Sequence, residues 1–353
     1  MRYLHICEKP YNLYRTILKV INSNDENDIL LTNNSEGMKE MFEEISKSGI
    51  FRNSYYYDEQ KHDTFTHVLK TQGTFSIKKV SDIGLTIVSI YKMVKGFITY
   101  IKSQYRAKYV KLPKGINLCD YDEIYITDCT SIVNFYLYRK KLNNLVYVEH
   151  AKNALSGKYP KITNLLNVLV KMRIIYGIRG SCRYIRAIEV SSDKDLVVET
   201  KGKEIRVIPV DNLVNNLSHE QREQIFSIYA TAYNLKFYDD VVFDMFLTTT
   251  IHGRNNEYSY FQLSKQIIKD YLYDAEMIIL KPHPLDKIDY SILLSEYSNI
   301  VILPSYFSVE ILTFNPKLKI RKLVSIDSTA NNSFSDVKEN IMVGYEYINK
   351  YGI

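Results

Sequence analysis

The stretch MIILKPHP (Met277–Pro284), followed by NIVILPSYFSVEIL (Asn299–Leu312), shows the organisation of the whole chain in miniature. Each part opens on an apolar run, Met277–Leu280 and Ile300–Leu303, and stops at a loop marked by proline. The segment between them, Ile288–Tyr297, reads as a helix. A strand, a loop, a helix and a second strand form the repeating unit of a parallel sheet covered by helices.

The same rhythm extends in both directions. Towards the C-terminus, Ser308–Phe314 reads as a short helix, Arg321–Val324 as a strand and residues 336–353 as a terminal helix packing across the lobes. Towards the N-terminus come strand Glu204–Val210, helix His219–Ala230, strand Val242–Phe246 and helix Tyr258–Tyr273. Earlier still, strands are predicted at Tyr3–Cys7, Asp28–Thr32, Asp122–Thr127 and Leu145–Val148. Helices are predicted at Tyr11–Ile21, Gly37–Ile45 and Ser131–Lys141. The polar break KGKE (Lys201–Glu204) divides the run, so the predicted domains are residues 1–202 and 203–353. The fold class expected is α/β, with two Rossmann-like doubly wound domains facing a central cleft. Ligands in open α/β sheets bind beyond the carboxyl ends of the strands, so the residues that follow strands are the ones to weigh.

Composition sets limits on function. A hydrophobic share of 46% and a charged share of 24% are those of an ordinary globular chain of 353 residues. Cys7, Cys119, Cys129 and Cys182 are scattered, with no CxxC pair and no histidine at zinc-like spacing. They read as isolated thiols in a reducing compartment. The N-terminal MRYLHICEKPYN lacks the long apolar core of a signal peptide. The apolar stretch Ile83–Ile101 carries Lys92 and Lys95 and spaces its apolar residues helically, which reads as an amphipathic helix and not a membrane span. The expected location is cytoplasmic, peripheral on the inner face of the membrane.

The net charge of +6 is unevenly placed. Between Asp82 and Asp120 there is no acid, while Lys92, Lys95, Lys102, Arg106, Lys108, Lys111 and Lys114 accumulate. Between Asp128 and Glu189 the only acid is Glu149. A basic first half suits an anionic membrane surface or an acidic glycan. Without an RNP, KH, zinc-finger or helix-turn-helix pattern, no nucleic-acid partner is expected. Nor is there a P-loop or a GxGxxG motif to cradle the phosphates of an ATPase or dehydrogenase.

In the second domain, Thr249, Thr250 and His252 follow one strand. Lys281, His283 and Pro284 follow the next, and Ser305, Ser308 and Glu310 the one after. Hydroxyls and backbone N–H groups at a helix start favour an anion. A histidine held between two prolines has little backbone freedom. An imidazole or ammonium there can stabilise a departing phosphate, and Glu310 can accept hydrogen bonds from ribose hydroxyls. Together they describe a nucleotide site.

MIILKPHP and NIVILPSYFSVEIL, in that order, resemble the bacterial sialyltransferases of glycosyltransferase family 52. They are similar as well to the polysialyltransferases and the teichoic-acid glycerophosphotransferases. The resemblance is best from about Val241 to Leu312 and reaches more loosely to CEKPYNL and DCTSIVNFYLYRKK. It implies a GT-B fold, with His283 against the phosphate of CMP-sialic acid and the serine-bearing segment holding that nucleotide. In the sialyltransferases an acidic motif closes a strand of the first domain, and its second acid deprotonates the acceptor. Here the matching positions are Glu149, His150 and Ala151, so a histidine stands where the acid is expected. Its ordinary pKa of about 6.5 suits base catalysis near neutrality, and Glu149 either orients it or is the base itself. Asp128, Lys152 and Asn153 are the candidate acceptor-binding residues.

The expected reaction is metal-independent, inverting transfer of a sugar, CMP-sialic acid being the first donor to try, onto a hydroxyl of a bacterial surface glycan. The alternatives keep the fold and change the donor to a UDP-sugar or CDP-polyol, in capsule or teichoic-type polymer synthesis, or make the chain an inactive glycan-binding scaffold. No cofactor is expected. Expected partners are a nucleotide-sugar donor, a glycan acceptor on a lipid carrier, a membrane face and a second copy of the chain.

Overall fold

The computed structural model describes residues 1–33, 35–59, 98, 100–127, 131–149, 182–192, 194, 196, 202–236, 241–249, 257–284, 286, 288–326, 328, 330–331, 334 and 337–350. The chain divides into two compact units, Met1–Ser218 and His219–Ile353.

The strands of the first unit are β1 (Arg2–Cys7), β2 (Glu26–Thr32), β3 (Asn53–Tyr57), β4 (Glu123–Ile126), β5 (Leu145–Val148), β6 (Ile185–Val190) and β7 (Glu204–Val207). Among the described residues they form a seven-stranded parallel sheet in the order β3-β2-β1-β4-β5-β6-β7. Helices α1 (Pro10–Val20), α2 (Met38–Ser48), α3 (Ile132–Arg139) and α4 (Val210–Asn215) accompany it. A parallel sheet covered on both faces needs successive rather than alternate apolar residues. Ile29, Leu30 and Leu31 of β2 and Leu145, Val146, Tyr147 and Val148 of β5 meet that need, all buried. Pro10 opens α1, where its missing N–H costs nothing. The Ser131 hydroxyl accepts the Asn134 N–H at 3.1 Å and caps α3. α2 ends at Gly49, whose φ of +72° is the left-handed stop that glycine adopts without strain.

The second unit contains α5 (His219–Ala232), β8 (Val242–Leu247), α6 (Glu257–Tyr271), β9 (Met277–Lys281), β10 (Ile300–Ile302), β11 (Lys319–Ser325), β12 (Glu339–Met342) and α7 (Gly344–Lys350). Its sheet, five-stranded among the described residues and parallel, runs β10-β9-β8-β11-β12. In both sheets the chain winds outward on one side and then returns to the other, reversing between β1 and β4 and between β8 and β11. This is the doubly wound α/β class predicted, and such reversals open the ligand crevice at the carboxyl ends of the strands.

Several predicted elements are corrected. Strand Glu204–Val207 does not begin the second domain but closes the edge of the first sheet, so the division falls after Ser218 and not at 202/203. It pairs in parallel with β6, and the Arg206 guanidinium donates to both carboxylate oxygens of Glu123 on β4 at 2.7 and 2.8 Å. The terminal helix over 336–353 is interrupted. Gly344, the first residue of the helix that remains, takes φ +68°, which breaks any continuous helix through it, and the residues before it pair with β11 as β12. The helix that remains, α7, packs within its own unit, the Tyr347 hydroxyl donating to Asp270 of α6 at 2.5 Å. Ile288–Tyr297 and Ser308–Phe314 are 3₁₀ turns, Tyr290–Ser295 and Val309–Phe314. The amphipathic helix expected over Ile83–Ile101 lies outside the described residues except at Ile98, Tyr100 and Ile101, which are helical. Among the described residues no helix is long and apolar enough to cross a membrane.

Candidate functional site

The carboxyl ends of β8, β9 and β10 lie side by side, and the three loops that leave them are tied together. The Thr248 hydroxyl is the first tie. It accepts the His283 N–H at 2.9 Å and donates to the Asp286 carboxylate at 2.8 Å. Asp286 accepts the Tyr290 hydroxyl at 2.7 Å, and its own N–H returns to the His283 carbonyl at 2.8 Å. His283 therefore stands in a loop whose backbone is fixed at both its N–H and its C=O.

Lys281 is the second tie. It is 6% exposed, and its ammonium donates to the Pro282 carbonyl at 2.6 Å and the Ser305 carbonyl at 2.8 Å. The bond to Ser305 locks the Lys-Pro-His-Pro loop to the Pro304–Ser308 loop. Burial lowers the Lys281 pKa to about 8, against the pull of Glu310 and Asp286, which favour its charge. Burial raises the Glu310 carboxyl, partly offset by a backbone hydrogen bond and by Lys281. Near neutrality this edge thus holds a charged lysine beside a carboxyl whose charge is disfavoured.

The structure therefore brings together Thr249, Lys281, His283, Pro284, Ser305, Ser308 and Glu310 on three neighbouring strand ends. His283 and Ser305 are half-buried, Pro284 exposed, and Thr249 and Ser308 buried. Thr249 gives its N–H to the Tyr260 hydroxyl at 3.0 Å and receives that hydroxyl on its carbonyl. Ser308 precedes a 3₁₀ turn of six residues and makes no side-chain cap to it. Thr250 and His252 lie outside the described residues.

The corresponding edge of the first sheet is differently built. Glu149, directly after β5, is 1% exposed. One of its carboxylate oxygens accepts the Ser191 N–H at 2.9 Å and lies 3.9 Å from the Arg15 guanidinium. Arg15, itself buried in α1, also donates to the Glu149 carbonyl at 3.2 Å and to Glu189 at 3.4 Å. Lys19 reaches Glu189 at 2.6 Å. Burial would push the Glu189 carboxyl up, but the Lys19 and Arg15 charges hold it below its usual range. His5, buried nearby, is lowered to about 4 by that burial and by Lys19. His150, Asp128, Lys152 and Asn153 lie outside the described residues.

Sequence reasoning missed Thr248, Asp286, Arg15 and Ser191. An acid two residues after Pro284 is the one local sign of Asp286, whose carboxylate accepts the Ile288 N–H at 3.1 Å. Arg15 and Ser191 leave no such sign, since their partners are far away in the chain. Among the described residues no group of three His, Cys, Asp or Glu side chains is placed to hold a metal ion.

No protein-family model matches the chain, and no curated protein matches it. Among solved structures it is similar to the UDP-GlcNAc 2-epimerase of Methanocaldococcus jannaschii, at 15% identity and a TM-score of 0.43, covering 100% of this chain and 92% of that one. It is similar as well to the wall teichoic acid polymerase TagF, at 12% identity and a TM-score of 0.43, covering 99% and 71%. The ADP-heptose LPS heptosyltransferase II of E. coli stands at 11% identity and a TM-score of 0.38, covering 94% and 81%.

Proposed function

We propose that the chain is a glycosyltransferase of the GT-B type that moves a sugar from a nucleotide donor to a glycan hydroxyl, with CMP-sialic acid the first donor to try. The observation that carries this reading is the tie between loops at the second edge. Lys281 bonds the Pro282 and Ser305 carbonyls, and Thr248 bonds the His283 amide. Together they preorganise a half-buried imidazole beside a cationic, proline-stiffened loop, as stabilisation of a leaving phosphate requires.

In the proposed reaction the acceptor oxygen bonds to the anomeric carbon as the bond from that carbon to the phosphate oxygen breaks. The phosphate leaves with the electron pair, next to His283 and the Lys281 charge. The acceptor proton passes to a base on the first unit, and a single displacement inverts the anomeric centre. His150 is taken as the base, with Glu149, whose carboxylate accepts the Ser191 N–H beside the Arg15 guanidinium, positioning it. A cleft shared by the two units belongs to this proposal.

The test is turnover with CMP-sialic acid, UDP-sugars and a CDP-polyol, with and without a galactose-terminated acceptor. One donor is expected to be consumed by the wild type and spared by His283→Ala. His150→Ala should lose transfer while still binding the donor. Turnover that His283→Ala leaves intact counts against the site, and loss of transfer in Glu149→Gln alone would move the base to Glu149.

A further inference from the structure

We propose that the outer face of the segment from Ile98 to Lys114 is a docking surface for an anionic lipid bilayer. This stands apart from the sugar-transfer reading and uses none of its residues.

The segment has two faces. Ile98 and residues 100–106 are helical, and a 3₁₀ turn, Ala107–Tyr109, extends them. Tyr100, Ser103, Ala107 and Val110, spaced by three or four, are all buried. Tyr100 meets Phe135 of α3 edge-on, ring centroids 4.8 Å apart. A helix anchored by that stripe must turn its other side outward. That side is not simply polar, for Ile98 is 47% exposed, Tyr105 62% and Tyr109 63%. Lys102, Arg106, Lys108, Lys111 and Lys114 are exposed around them. The sequence supplies no acid from residue 83 to residue 119 to neutralise them.

The cations and the rings act together. The Lys108 ammonium donates to the Tyr105 hydroxyl at 2.8 Å and lies 4.1 and 4.6 Å from the Tyr105 and Tyr109 ring centroids. Arg139, at the end of α3, adds a further positive field at Tyr105. Single exposed apolar residues are ordinary, but three set among five cations form a pattern. A headgroup layer takes both parts, since ring bodies and an aliphatic side chain enter the acyl boundary while ammonium groups meet lipid phosphates. Nucleic acid fits less well. It would use the ring faces for base stacking, one face of each ring already carries Lys108, and Ile98 finds no partner on a phosphate backbone.

The test is co-sedimentation of the full chain with vesicles of phosphatidylglycerol and phosphatidylcholine in equal parts, or of phosphatidylcholine alone. Binding is expected to the first only, and to be reversed by salt, a measurement that needs no variant. Lys102→Gln, Lys108→Gln and Lys111→Gln combined should weaken it roughly a hundredfold. Tyr105→Ala with Tyr109→Ala should weaken it on the order of tenfold. Both variants should keep the wild-type melting temperature, because the side chains are exposed. A wild type that ignores anionic vesicles, binds both lipids equally, or prefers a generic DNA duplex at the same salt would overturn the assignment.

Discussion

The carboxyl edges of the two sheets place polar groups at similar topological positions and hold them by opposite means. At the first edge, charges neutralise one another in the interior, with Arg15 between Glu149 and Glu189 and Lys19 completing the set. At the second, a single buried ammonium is held by two carbonyls, and the adjacent loop is fixed through a threonine hydroxyl. A compensated network has little left to offer a ligand and is there to hold shape. A lone cation on carbonyl partners, beside a half-buried imidazole, still has charge to lend to an anion. Under the proposed function, the first edge holds its shape and the second supplies the charge that meets the leaving phosphate.

This contrast can be broken by substitution. The largest effect is expected at Arg15. Arg15→Met takes the guanidinium from buried Glu149 and leaves Glu189 with Lys19 alone, and should cost about 3–5 kcal/mol in urea unfolding. Adding Glu149→Gln and Glu189→Gln should recover much of it, and additive losses would contradict the network. Next comes His283→Ala, expected to lower turnover about a hundredfold or more with little change in stability.

Lys281 gives a test with two opposing signs. Its pKa in the folded chain, about 8, lies below its ordinary 10.5. Between those values the unfolded chain holds more protons, so stability should rise with pH across that window. Over the same rise the charge is lost, and nucleotide affinity should fall about tenfold from roughly pH 7 to roughly pH 9. Lys281→Arg, charged throughout, should flatten both trends in unfolding and titration experiments. The smallest effect is expected from Thr248→Val, about 1 kcal/mol, because it leaves the His283 N–H without its acceptor and Asp286 with one donor fewer. Faster hydrogen exchange at the His283 amide would show the loosening directly.

Most strands were legible because parallel strands buried on both faces read as continuous apolar runs, as in Leu145–Val148 and Met277–Lys281. β3 escaped because NSYYY is tyrosine-rich and half-buried throughout, without an aliphatic run. β7 is legible as a strand but not in its sheet, since its partner β6 and the Arg206–Glu123 pair are tertiary contacts. The proline-flanked His283 and the nearby Ser305 and Glu310 were visible as residues that follow strands. That Lys281 would turn back onto carbonyls, and that Glu149 would be enclosed by α1 and β6, depends on tertiary contacts that no local pattern encodes.

The most direct test of the second edge as a phosphate cradle is the melting temperature of the wild type, His283→Ala and Lys281→Met in the presence of CMP, CDP or UDP. A nucleotide at about a hundred times its Kd adds about 2.7 kcal/mol. The account predicts that one nucleotide raises the melting temperature of the wild type and has much less effect on both variants. A wild type that none of the three stabilises, or variants stabilised as fully as the wild type, would contradict it.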